Sequence, residues 1–173
     1  MAGKYTPQSL LPPLRLFARA RNEALAAGFT DNGGAIHSVE RIVDILGLRL
    51  CYPHLHHINS IKRDVGAEIS EAACAARLAG QKVDIEHVMP QRAFAQAVIA
   101  EIDRSATDAE LIAFVRSAYR LVLLTPEETK RVNHENRSRM TPDRIAEAGI
   151  RLVRREDQDS RMGAATSALR SAR

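Results

Sequence analysis

The chain contains no tryptophan, and Phe, Tyr and Trp together make up only 4% of it. A core must therefore rest on Leu, Ile, Val and Ala, a composition that leans toward helix. There are two cysteines, Cys51 and Cys74, far apart in sequence and outside any CxxC spacing. That suits buried free thiols in a reducing compartment better than a disulfide framework or a zinc knuckle. No apolar run approaches the roughly 18 residues needed to span a membrane, and the first residues lack the apolar stretch of a signal peptide. A soluble, cytoplasmic protein with no membrane partner is expected. Charge of one sign is not in great excess, with a net of +4. A mildly basic balance is compatible with a polyanionic partner but does not by itself require one.

The 173 residues suffice for one domain with a core, or for a core with a helical annex. Neither internal repeats nor low-complexity blocks occur. The first dozen residues, rich in Pro, Gln and Ser, read as an extended arm. A helix is expected over residues 13–27, with Pro13 at its start, Leu14, Phe17, Ala18 and Leu25 on one face, and Gly28 at its end. Ser38 can cap a second helix carrying Ile42, Ile45 and Leu46 that stops near Gly47. Residues 48–66 give no clear pattern. An Ala-rich helix is expected over 68–78.

After Gly80 the character changes. The run 83–88 reads as a short strand ended by Met89-Pro90, followed by two helical segments. The first carries Phe94, Val98 and Ile102. The second opens at Thr107, spaced from Glu110 as a capping box. Residues 120–124 form the most strand-like run in the chain. Thr125-Pro126-Glu127-Glu128 then supplies a cap, a proline at the first helical position and a glutamate three residues after the cap. Each satisfies or avoids an orphan backbone N–H, so a helix should run to about residue 135. A last helix is expected after Met140, and the tail 157–173 should be loose.

Glu86 and His87 are the residues best placed for chemistry. Neighbours on a strand point to opposite faces, so one can hold a metal while the other meets a substrate. Thr129 and Asn133 are four residues apart and share a helix face. If that helix crosses the strands, Asn133 approaches Glu86 and creates an oxygen-rich site suited to Mg²⁺ or Mn²⁺.

The stretch Val83-Asp84-Ile85-Glu86-His87-Val88-Met89-Pro90-Gln91-Arg92-Ala93-Phe94 resembles the first segment of HNH (ββα-metal, His-Me finger) endonucleases, as in the HNH domain of CRISPR effector nucleases. Leu121-Val122-Leu123-Leu124-Thr125-Pro126-Glu127-Glu128-Thr129-Lys130-Arg131-Val132-Asn133 is similar to the second strand and helix of colicin DNases. The resemblance spans residues 83–136 with a helical insertion at 91–119. It implies that Glu86 is a metal ligand, His87 the general base, and Asn133 the distal ligand. Thr129 falls where the colicin pattern has a further histidine. Arg120 stands where many members have an asparagine, and the structural zinc cysteines of many members are absent.

The implied protein is a DNA-cutting hydrolase that uses Mg²⁺ or Mn²⁺, with DNA a better candidate than RNA and a dimer possible. Arg120, Lys130, Arg131, Arg137 and Arg139 could hold phosphates. The expected fold is α+β and mainly helical, with a two-stranded antiparallel ribbon and helix embedded in a helical domain. Residues 1–79 would form its helical N-terminal part and 80–156 the ββα-metal region. Two alternatives stay open: a nucleic-acid-binding module that does not cut, and an interaction or regulatory protein. His54, His56 and His57 have no carboxylate or cysteine at ligand spacing and read as a surface cluster.

Overall fold

A computed structural model describes residues 5–31, 34–136 and 144–153. It is mainly helical with a small mixed sheet, so the α+β expectation holds at that level. Contacts divide the chain into a helical unit, residues 5–58 and 89–120, and a sheet unit, residues 59–88 and 121–153. The two helices of the insertion thus group with the N-terminal helices, while 59–79 group with the sheet.

The helical unit comprises α1 (Pro7–Ala26), α2 (Gly34–Cys51), α4 (Gln91–Asp103) and α5 (Asp108–Ala118); α3 (Glu71–Leu78) belongs to the sheet unit. Helix α1 starts six residues earlier than the prolines suggest. Thr6 and Ser9 satisfy each other's backbone N–H groups in a capping box, and Pro7 occupies the first turn. The interior Pro12 and Pro13 deny a donor to the carbonyls of Gln8 and Ser9, two exposed residues whose carbonyls water can reach. Leu11, Leu14 and Ala18 of α1, Val39 and Leu46 of α2, Val98 of α4 and Leu111 and Val115 of α5 are almost fully buried. Each buried branched side chain contributes about 1.5–3 kcal/mol. Arg15 of α1 ties to α5, donating to Asp108 at 2.7 Å and to the carbonyl of Ala106 at 2.7 Å.

Gly47 does not end α2, which runs four residues further. Its role is steric. A Cβ there would lie 2.2 Å from Cδ2 of the buried Tyr119 ring. Tyr119 in turn donates its hydroxyl to Oδ1 of buried Asp44 at 2.6 Å. Burial, and then the Asp44 charge, hold this phenol protonated well above the ordinary tyrosine range. The folded state therefore keeps a proton that the unfolded chain loses near pH 10. Stability from this group is complete below about pH 10 and falls by roughly 1.4 kcal/mol per pH unit above it. Tyr119→Phe should flatten that alkaline slope in urea titrations at pH 9–11. At neutral pH it should cost about 1–3 kcal/mol, because buried Asp44 loses this donor.

The sheet unit contains β1 (Glu68–Ile69), α3 (Glu71–Leu78), β2 (Asp84–His87), β3 (Leu121–Leu124), α6 (Pro126–Asn136) and α7 (Arg144–Glu147). A 3₁₀ turn, Ile58–Arg63, leads into it. The strand order is β1-β3-β2, with β1 parallel and β2 antiparallel to β3. This corrects the expected two-stranded ribbon. Glu68 and Ile69 form a strand rather than the start of a helix, and Ser70 caps α3 by accepting from the N–H of Ala73. All four residues of β3 are fully buried, as a central strand requires. Val122 and Leu124 pack with Val132 of α6, Ile145 of α7, Ala148 and Ile150. Residues 151–153 run beside β1, with Val153 donating to the carbonyl of Ile69. No helix among the described residues is long and apolar enough to cross a membrane.

Candidate active site

Glu86 and His87 are the last two residues of β2, paired with Val122 and Leu121 of β3. Both are half-buried on an edge strand, and successive strand residues alternate faces. The ladder ends at His87, and the chain then turns through Val88 and Met89 to Pro90, which precedes the first residue of α4.

Helix α6 packs against both β2 and β3. Its start is fixed by two reciprocal bonds: the N–H of Glu128 donates to Thr125 Oγ1 at 3.2 Å, and that of Thr125 donates to Glu128 Oε2 at 2.9 Å. The same carboxylate oxygen accepts the Ser70 hydroxyl at 2.6 Å. Ser70 is fully buried and Glu128 nearly so, so one carboxylate joins the caps of α3 and α6. The capping box was visible in the sequence. The contribution of Ser70, 58 residues away, was not.

Val132 points into the core, leaving Thr129 and Asn133 half-buried along its flank and Lys130, Arg131 and His134 exposed. Arg120 is exposed at the end of the helical unit, one residue before β3. Arg137 and Arg139 lie outside the described residues. His54, His56 and His57 are all exposed, in keeping with a surface cluster; His56 and His57 line a pocket of about 160 Å³ with Arg41, Asp44 and Arg49. Cys74 is buried and Cys51 partly so, both as free thiols, and burial pushes the Cys51 thiol up.

Sequence reasoning missed one residue at the centre of this region. Arg144, the first residue of α7, has a side chain only 1% exposed, and it forms an ion pair with Glu86 Oε1. Its guanidinium also donates to the carbonyl of His87 at 2.7 Å and to that of Val88 at 2.9 Å. One cation thus neutralises the candidate carboxylate and satisfies two consecutive backbone acceptors, the last of the strand and the one after it. Ile145, the next residue, anchors α7 in the core beside Val122 and Val132.

The donor types suit a hard divalent cation: a Glu86 carboxylate, an Asn133 amide and a Thr129 hydroxyl. The buried Thr129 Oγ1 has no hydrogen-bond partner, an uncompensated cost of about 1–3 kcal/mol that an added ligand would relieve. Among the described residues, no group of three His, Cys, Asp or Glu side chains is gathered as a metal cage. Comparison with protein-family models, curated proteins and solved structures finds no match for this chain.

Proposed function

We propose that the protein is a metal-dependent nuclease of the ββα-metal kind, hydrolysing phosphodiester bonds in DNA ahead of RNA. The observation that carries this reading is α6 packed on the antiparallel β2–β3 pair, with Glu86 and His87 at the end of β2. In this reading Glu86, Asn133 and the Thr129 hydroxyl hold Mg²⁺ or Mn²⁺. When bound, the ion would stabilise negative charge on the phosphate and the departing 3′ oxygen.

The chain's own residues do the rest. His87 takes a proton from a water molecule, whose oxygen forms a bond to phosphorus as the bond to the 3′ oxygen breaks. An imidazole nitrogen can accept that proton and later release it. Lys130 and Arg131, exposed on α6, hold phosphates on either side of the scissile one.

Supercoiled plasmid incubated with the protein and Mg²⁺ or Mn²⁺ should become nicked or linear, and EDTA should prevent this. Plasmid, single-stranded DNA and RNA that all stay intact would sink the reading. A second reading, a nucleic-acid-binding module that does not cut, is favoured by one observation: Arg144 already neutralises Glu86. Retained DNA binding without cleavage would select it.

A further inference from the structure

We propose that Arg144 is an internal counter-cation that competes with the divalent metal for Glu86, so that metal binding requires the carboxylate to leave the guanidinium. The inference rests on Glu86 being a metal ligand and goes beyond it by saying what holds the site when metal is absent.

The side chains of Glu86 and Arg144 are 14% and 1% exposed, so each charge sits where water screens it poorly. Arg144 surrounds its charge with three oxygens: Glu86 Oε1 and the carbonyls of His87 and Val88. That is an oxygen shell of the sort a small cation would otherwise occupy. A divalent ion on the same carboxylate would stand close to the guanidinium with little solvent between them, and like charges repel strongly there.

The arrangement also provides the route of exchange. Two of the three acceptors of Arg144 are backbone carbonyls, which stay in place when Glu86 changes rotamer. The carboxylate is the moving part, leaving Arg144 for the metal. A metal seen only by the released carboxylate binds with an apparent affinity reduced by the fraction of chains in which it is released. By reciprocity, metal that takes Glu86 must loosen the hold of Arg144 and α7 by the same factor.

The test is Mn²⁺ binding, followed by calorimetry and by the electron-spin signal of free Mn²⁺, in the full chain and in Arg144→Met and Glu86→Gln. Arg144→Met should bind Mn²⁺ about 5- to 150-fold more tightly than the unsubstituted chain, the range of ordinary coupling between sites. Glu86→Gln should lose that binding. Hydrogen exchange of the unsubstituted chain gives a second readout that needs no substitution and decides alone if Arg144→Met does not fold. Mn²⁺ should speed exchange in residues 144–150, and in Glu86→Gln it should not. Equal Mn²⁺ affinity in the chain and in Arg144→Met, lost in Glu86→Gln, would overturn the competition while leaving Glu86 a ligand. No Mn²⁺ binding in either the chain or Arg144→Met would overturn both.

Discussion

His87→Ala should lower the rate of plasmid cleavage by a factor of about 10²–10⁴, the ordinary worth of a positioned general base. The fold should survive the change. His87 is half-buried at the end of an edge strand, and its pairing with Leu121 is made by backbone groups that alanine retains. The loss of strand preference should cost less than about 1 kcal/mol. Unchanged thermal unfolding with collapsed cleavage would therefore assign the loss to chemistry. Partial recovery with free imidazole would strengthen the assignment, because a diffusible base can replace the missing one. Cleavage at the original rate in His87→Ala would remove the residue from the mechanism.

Arg144→Met should destabilise the folded chain by about 3–5 kcal/mol, the usual result of removing one partner from a buried ion pair. Glu86 would keep its charge in a largely dry setting, and the carbonyls of His87 and Val88 would lose their donors. For a chain of this length the melting temperature should drop by about 6–20 °C. Glu86→Gln with Arg144→Met should recover part of that loss, because the stranded charge is removed with its partner. A loss below about 1 kcal/mol in Arg144→Met would mean that the pair is solvated in the folded protein.

What the sequence disclosed about this region follows from how local each signal is. Strand β3 was legible because four consecutive apolar residues with turn chemistry on their far side leave few other readings. Helix α6 was legible because Thr125, Pro126 and Glu128 solve the problem of unpaired N–H groups within four residues. That helix was expected to cross the strands, and α6 does pack against both β2 and β3.

The parts that escaped depend on distant partners. A last helix was expected after Met140, but the role of Arg144 was not, because its acceptor Glu86 lies 58 residues earlier. Strand β1 is two residues long and exists because β3 offers it a parallel edge. The Ala-rich run behind it masked it, although Ser70 marks the true helix start. Gly47 read as a helix stop because glycine weakens a helix by about 1 kcal/mol relative to alanine. The ring of Tyr119, 72 positions later in the chain, needs the space that only glycine leaves. At β1 and at Gly47 tertiary packing overrode a sound local preference.

The central claim is that Glu86 binds the ion on which cleavage depends. The most direct measurement is the initial rate of plasmid cleavage against Mn²⁺ concentration, for the unsubstituted chain and for Glu86→Gln side by side. The account predicts a saturating curve for the former and, for Glu86→Gln, no cleavage or a curve displaced to much higher Mn²⁺. Two superimposable curves would contradict it, because the metal would then act without Glu86.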